Sequence, residues 1–159
     1  MDNYDLDRTD MGILYLLQRN ARDTTTEEIA EKVGLTASTV ATRIRKLENA
    51  DVIQDYRPTI NYRRAGFDQH VLVIGTVPAD ERTALVEKAM DVGGVVNARE
   101  LMTDEENVLV ELVSASQETV ERRIDELSDI GVEINRIELL TRELTRPFAH
   151  FGEQFTDEG

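Results

Sequence analysis

Residues 25–49 read TTEEIAEKVGLTASTVATRIRKLEN and contain two apolar patterns with helical spacing, separated by a Gly-Leu-Thr turn. Thr25 and Glu28 have the spacing of a capping box at a helix N-terminus, and Gly34 is a typical helix end. Thr36 is a good cap for a second helix, whose apolar residues recur at i, i+4 and i+7. Two short helices joined by such a turn predict a helix-turn-helix.

A further helix is predicted before this pair and a hairpin after it. Asp7 is a suitable helix cap, and an apolar stripe follows at residues 13–17. Residues 52–60 have the pattern of a strand, a turn and a second strand, which would form the wing of a winged-helix domain. Residues 1–63 are therefore predicted to form a winged helix-turn-helix domain, with 64–69 as a linker.

The helix after the turn has an outward face suited to the major groove of DNA. With Val40, Ile44 and Leu47 turned to the core, its small polar and basic residues point outward. No acidic residue occurs between Glu31 and Glu48, so this face can bind DNA despite a negative net charge. The predicted DNA-binding residues are Thr36, Ala37, Ser38, Thr39, Thr42, Arg43, Arg45, Lys46 and, in the wing, Arg57.

Two alternatives accompany this interpretation. Arg43 lies closer to the core face than the other basic residues, so a salt bridge to a neighbouring helix could occupy it instead of DNA. A solvated surface is the ordinary role of a charged helix face, but the turn, the hairpin and the acid-free stretch together favour DNA. Arg57, with Arg63 and Arg64 beyond it, would then contact phosphates and position the domain.

The second half of the chain predicts a separate α+β domain. Its elements are a strand from His70 to Val77, a helix capped by Asp80, strands at Val95–Met102 and Asn107–Val113, a helix opened by Ser116, and a strand from Val132 to about Thr145. The order strand, helix, strand, strand, helix, strand is that of a ferredoxin-like, ACT-like domain, an antiparallel sheet with both helices on one face. Residues 70–145 are assigned to this domain, which makes the chain α+β overall.

Residues 146–159 are predicted to form an aromatic tail. Three of the chain's four phenylalanines lie there: Phe148, Phe151 and Phe155. Packing on its own domain, docking onto another subunit and disorder are the alternatives that the sequence leaves open.

The net charge of −14 is unevenly distributed. Residues 1–64 hold 11 acidic and 10 basic side chains, whereas residues 65–159 hold 21 acidic and 8 basic ones. The acid is therefore concentrated away from the predicted DNA-binding face. Lysine supplies only three of the 18 basic residues. This composition resembles that of halophile proteins, with an ordinary acidic protein as the alternative.

Composition argues against several other classes of protein. The chain has no cysteine, and its two histidines, His70 and His150, are far apart, so no metal site is predicted. No glycine-rich phosphate loop or nucleophile elbow occurs, so neither catalysis nor a cofactor is predicted. Without an apolar run long enough for a membrane span or a signal peptide, a cytoplasmic protein is expected.

Residues 6–66 resemble the N-terminal region of the Lrp/AsnC transcription regulators, the leucine-responsive and asparagine-responsive type. The resemblance rests on Leu6-Asp7-x-x-Asp10-x-x-Ile13-Leu14, on Asn20-Ala21-Arg22 and on the stretch from Ile29 to Glu48. Residues 51–56, Asp-Val-Ile-Gln-Asp-Tyr, stand where the family has Gly-Val-Ile-x-Gly-Tyr. The second half has the family's order of strands and helices, so the resemblance covers almost the whole chain.

The resemblance implies a homodimer held by the sheets of the second domains, often assembled further to an octamer, that binds roughly palindromic double-stranded DNA. It also implies an amino-acid effector between subunits in many members. The family commonly has Gly-x-x-Asp between the second and third strands, whereas residues 102–107 here contain no glycine. Acidic and amide groups in this turn suit a cation or an ammonium group, and a solvated turn is the alternative. The candidate effector residues are Thr103, Asp104, Glu105 and Asn107.

The sequence thus predicts a DNA-binding transcription regulator of the Lrp/AsnC type, gated by an amino acid or another small metabolite. Two other functions stay open. One is an effector-independent architectural DNA-binding protein, and the other is a regulatory module that acts through a protein partner.

Overall fold

The computed structural model describes residues 2–155 and divides the chain into two compact units. The first unit combines both ends of the chain, the residues up to Pro58 and those from Leu144 onward. The second unit is Thr59–Glu143. In the described part of the chain, no helix has the length and apolar character needed to cross a membrane.

Three helices form the core of the first unit: α1 (Arg8–Asn20), α2 (Thr26–Val33) and α3 (Ala37–Asn49). The caps predicted at Asp7, Thr25 and Thr36 are confirmed, since each side chain accepts a hydrogen bond from the backbone N–H three residues later. Gly34 ends α2 with a φ of +75°, a left-handed conformation that glycine adopts without steric cost. The three helices enclose a core of fully or almost fully buried side chains: Ile13, Leu14, Leu16, Ile29, Ala30, Val40 and Leu47.

Residues 52–60, which follow α3, form no strand, so the hairpin predicted there is wrong. Asp51 turns the chain with a φ of +56°. The backbone N–H groups of Val52 and Ile53 then bond back to the carbonyl of Leu47, at 3.0 and 3.1 Å. These two residues therefore close the helix end and pack against the helical core. Pro58 has no N–H to contribute to a strand ladder.

The second unit contains β1 (Gln69–Thr76), α4 (Arg82–Ala89), β2 (Val95–Glu100), β3 (Val108–Ser114), α5 (Gln117–Asp129) and β4 (Glu133–Leu139). Its antiparallel sheet has the order β2-β3-β1-β4, so the predicted arrangement of strands and helices is confirmed. Several bounds differ from the sequence prediction. The cap of α4 is Glu81 rather than Asp80, without a side-chain hydrogen bond. The strand β2 ends at Glu100 rather than Met102, and the last strand ends at Leu139 rather than near Thr145.

Alternation along the strands gives the sheet two different faces. Val71 and Val73 of β1 pack with Val120 and Leu127 of α5 in the core of this unit. Leu72, between them in sequence, points to the opposite face, because successive side chains of a strand alternate. This open face contains a cavity of about 220 Å³. Its lining residues are Leu72, Asn97, Arg99, Leu109, Glu111, Leu140 and Glu143.

The aromatic tail belongs to the first unit. It forms a short 3₁₀ helix at Ala149–Phe155. Phe151 and Phe155 pack against the core of α1, α2 and α3. The structure thus shows a tail that packs on the N-terminal helices.

Candidate nucleic-acid interface

The outward side of α3 holds most of the predicted DNA-binding residues. Val40 and Leu47 are fully buried and Ile44 is half-buried, so the helix presents its opposite side to solvent. Ala37 is half-buried at the first turn. The exposed residues of the predicted set are Thr36, Ser38, Thr39, Thr42, Arg45 and Lys46.

Hydroxyl groups are fixed at the N-terminal end of α3. The Oγ1 of Thr36 accepts a hydrogen bond from the N–H of Thr39 at 3.3 Å, and it lies 2.8 Å from the Oγ1 of Thr39. The Oγ1 of Thr42 donates to the carbonyl oxygen of Ser38 at 3.0 Å. A hydroxyl has one proton, so Thr42 in this geometry faces solvent as an acceptor. An acceptor suits the amino groups of adenine and cytosine in the major groove.

Arg45 and Lys46 supply positive charge to this side of the helix. Within residues 2–155, neither side chain forms an ion pair with a protein carboxylate. Arg45 therefore has its planar set of N–H donors free for a bidentate contact with guanine, and Lys46 has its ammonium free for a phosphate.

Arg43 forms a salt bridge to a neighbouring helix, which the sequence left open as an alternative to a DNA contact. Its guanidinium bonds to the carboxylates of Asp7 and Asp10 and is only 30% exposed, and the contact to Asp10 measures 3.1 Å. The pKa of Asp7 lies below its ordinary value because the carboxylate accepts a hydrogen bond from the N–H of Asp10 and also pairs with Arg43. The two carboxylates raise the pKa of Arg43 in turn. Arg43 thus joins α3 to the start of α1.

Sequence reasoning missed Asp7 and Asp10 as the partners of Arg43. The sequence assigned Asp7 only the role of a helix cap, and Asp10 is almost completely buried. A buried carboxylate needs a partner, because burial without one disfavours the charged form. An acidic helix cap together with a basic residue near the core face of another helix was the available signal.

Arg57 lies in a segment without regular structure rather than in a hairpin wing. Its side chain is 77% exposed, and its Nε lies 2.8 Å from a carboxylate oxygen of Asp55. The pKa of the neighbouring Tyr56 lies above its ordinary value, because of desolvation and the nearby negative charge of Glu48 on α3.

The candidate effector residues differ in their exposure. Thr103, Asp104 and Glu105 are exposed, and the Oγ1 of Thr103 donates to the carbonyl of Glu105 at 2.8 Å. Asn107 is 0% exposed, and its amide bonds to both the N–H and the carbonyl of Val77, at 2.9 and 2.8 Å. Asn107 therefore holds the turn to the end of β1, and its side chain cannot reach a ligand in this conformation.

A metal-ion site in this turn has no support in the geometry. Glu106 adopts a φ of +49° and pairs with Arg136 at 2.7 Å. Among residues 2–155, no group of three or more histidine or carboxylate side chains is placed to hold a metal ion.

Sequence comparisons relate the chain to DNA-binding regulators. The family of winged helix-turn-helix DNA-binding domains matches residues 6–54. The transcriptional regulatory protein DoeX of Halomonas elongata is 30% identical over 91% of this chain and 93% of its own length. The leucine-responsive regulatory protein of Rhizobium meliloti is 45% identical, and the regulatory protein AsnC of Escherichia coli is 35% identical. The matched part spans 40% and 44% of those two relatives.

Solved structures share the fold across both units. Escherichia coli AsnC has a TM-score of 0.71 at 22% identity, over 91% of this chain and 99% of that one. A transcriptional regulator of Neisseria meningitidis, solved as its L-Met complex, has a TM-score of 0.74 at 21% identity, over 90% of this chain and 94% of that one. With its helix-turn-helix of α2 and α3, its α+β second unit and a relative matched along nearly the full length, the chain belongs to the Lrp/AsnC family of DNA-binding transcription regulators, which are not enzymes.

Proposed function

We propose that this regulator reads DNA with the exposed side of α3. The single observation that carries the proposal is that this side combines fixed hydroxyls with free Arg45 and Lys46 and lacks a carboxylate before Glu48. Ser38, Thr39, Thr42 and Arg45 would contact base edges, while Thr36, Ala37, Lys46 and Arg57 would face phosphates. Arg43 would act indirectly, by orienting α3 through Asp7 and Asp10.

The DNA-binding form is proposed to be a homodimer, with an octamer as a further assembly. The open face of the sheet supports this proposal. Leu72 and Leu109 lie half-buried at its centre, and Arg99 and Glu111 are close enough to them to line the same cavity. A self-complementary patch of this kind fits a two-fold interface. The half-sites of a bound palindrome would then be centred about 10 or 21 base pairs apart.

Gating by an amino acid or another small metabolite is proposed for the turn after β2. Thr103, Asp104 and Glu105 support it, because all three are exposed and the carboxylates of Asp104 and Glu105 suit an ammonium group. The L-Met complex of the Neisseria relative shows that a protein of this fold can carry an amino acid. The low lysine content supports a halophilic setting, and the match to a DNA-binding family supports a cytoplasmic one.

The test is selection of DNA by the full-length protein from duplexes with a randomised segment of about 40 base pairs, roughly four helical turns. Enrichment of a pseudo-palindrome is expected, and its half-site spacing would report the dimer. Genome-wide mapping of bound DNA, with and without excess amino acids, then places the sites in cells. A pool that stays random would contradict the DNA-reading role of α3 and favour a module acting through a protein partner.

An effector-independent architectural protein is the second candidate. Asn107 favours it, since both atoms of its amide are engaged with Val77 and the turn offers fewer groups to a ligand. Thermal melting with a panel of free amino acids separates the two functions. A ligand at a hundred times its dissociation constant stabilises the protein by about 2.7 kcal/mol. No shift with any compound, together with bound sites that ignore nutrients, would favour the second candidate.

A further inference from the structure

The C-terminal tail docks at a specific site on α1, which we call its seat. The ring of Phe155 lies 5.9 Å from that of Tyr15 on α1, measured between centroids. Phe148 and Phe151 stack edge to face at 4.9 Å. The backbone N–H of Phe148 donates to the Oε1 of Gln18 at 3.3 Å. Aromatic packing and a directional hydrogen bond thus both fix the tail on the same helix.

Gly152 brings the tail backbone against the ring of Tyr15. It is buried, and a Cβ built at this position would lie 2.6 Å from a ring carbon of Tyr15. That separation is far below van der Waals contact, so a side chain at residue 152 would displace the ring or the tail. The seat therefore depends on glycine at this position.

The tail docks on α1, the helix that also positions α3. Asp7 and Asp10 at the start of α1 hold Arg43 of α3. Phe151 and Phe155 pack against the same buried cluster that contains Val40 and Leu47 of α3. Loss of the tail would expose this cluster and loosen α1, and the orientation of α3 depends on both.

We propose that residues 147–155, the C-terminal tail, dock on α1 of their own chain and that DNA binding by α3 requires the docked tail. This inference rests on the proposed role of α3. The match to the DNA-binding family covers residues 6–54 and does not include the tail. The second unit, Thr59–Glu143, is consequently joined covalently to the reading unit at both of its ends.

The first experiment compares two full-length variants that each place valine in the tail. Gly152→Val puts a side chain against Tyr15, whereas Ala149→Val adds its methyl groups at an exposed position of the same 3₁₀ helix. The probe is the duplex that the native protein selects from the randomised pool. Hydrogen exchange at the Phe148 amide reports docking separately from DNA binding.

Gly152→Val is expected to speed exchange at Phe148 and to weaken DNA binding about tenfold, a loss of about 1.4 kcal/mol. Ala149→Val should bind as the native protein does. Should Gly152→Val disturb folding, adding Tyr15→Leu removes the obstructing ring and is expected to restore part of the binding. Fast exchange at Phe148 with unchanged DNA affinity would overturn the proposal.

A second experiment identifies which chain the tail docks on. The native chain has no cysteine, so Gln18→Cys and Phe148→Cys introduce the only thiols for a short bismaleimide cross-linker. The double variant is expected to give a cross-linked single chain. A cross-linked dimer from a mixture of the two single variants would instead show docking on a second copy and overturn the own-chain seat. Failure of the native protein to select any DNA would contradict the proposed function while leaving both measurements of docking intact.

Discussion

The helices α3 and α5 have the same length and the same local design but opposite surfaces. Each has 13 residues, and each is capped by a hydroxyl, Thr36 or Ser116, that accepts from the N–H of a threonine three residues later. Each buries one leucine completely, Leu47 or Leu127. The exposed side of α5 is acidic, with Glu118, Glu121, Asp125 and Asp129, whereas that of α3 carries Arg45 and Lys46. Caps and core residues therefore determine the helix, and the exposed residues determine what it binds.

The largest expected effect tests whether the two cores are equivalent. Leu47→Ala and Leu127→Ala each remove a fully buried side chain and should each lower the free energy of unfolding of their unit by about 2–5 kcal/mol. Hydrogen exchange of core amides, measured unit by unit, reports both losses. A loss confined to one helix would break the comparison, because it would mean that the other core closes the cavity by relaxing.

The exposed faces are expected to differ in DNA binding. Arg45→Ala should weaken binding to the selected duplex by about 1–3 kcal/mol and relax sequence preference at one position. Arg122→Ala on α5 is the matched control and should leave binding unchanged. Fluorescence anisotropy against selected and random duplexes separates the contributions. An equal loss on both duplexes would assign Arg45 to a phosphate rather than to a base.

Much of the fold was predictable because its signals are local. The caps at Asp7, Thr25 and Thr36 and the order of the second unit follow from residues close in sequence. The segment after α3 was misread because its apolar Val52 and Ile53 have the pattern of a strand. The decisive factor was the left-handed turn at Asp51, which directs their N–H groups to the carbonyl of Leu47.

The rest of the site depends on partners that are distant in sequence. Arg43 is fixed by Asp7 and Asp10, more than thirty residues away. The side-chain amide of Asn107 is hydrogen-bonded to the backbone of Val77. The tail returns to α1 across more than a hundred residues, through Phe148 and Gln18. In each case the residue type suggested a role, but the role depends on the partner that the fold brings into contact.

A smaller expected effect concerns the pH dependence of stability in the two units. The lowered pKa of Asp7 means that its carboxylate stabilises the fold above its ordinary pKa of 3.8, and that this contribution is lost as pH falls through the lowered value. The cap of α5, Ser116, has no titratable group at acidic pH. Asp7→Asn keeps a capping oxygen but removes the charge, so the first unit should lose less stability on acidification than in the native protein. Unit-resolved hydrogen exchange between about pH 2 and pH 5, a range that extends below the ordinary carboxyl pKa values, checks this. Identical acid sensitivity of the native and variant first units would exclude Asp7 as its source.

The smallest expected effect concerns the way the two helices end. Two residues after its last helical residue, α5 has Gly131 with a φ of +116°, whereas α3 has Asp51 with a φ of +56°. A side chain in the left-handed region is strained, so Asp51→Gly should relieve that strain, partly offset by the greater freedom of glycine in the unfolded chain. A net stabilisation of the first unit by about 0.5–1 kcal/mol is expected, and Gly131→Asp should destabilise the second unit by at least as much. Urea melts monitored by hydrogen exchange measure both changes. A destabilising Asp51→Gly would show that the Asp51 side chain contributes more to the end of α3 than its backbone strain costs.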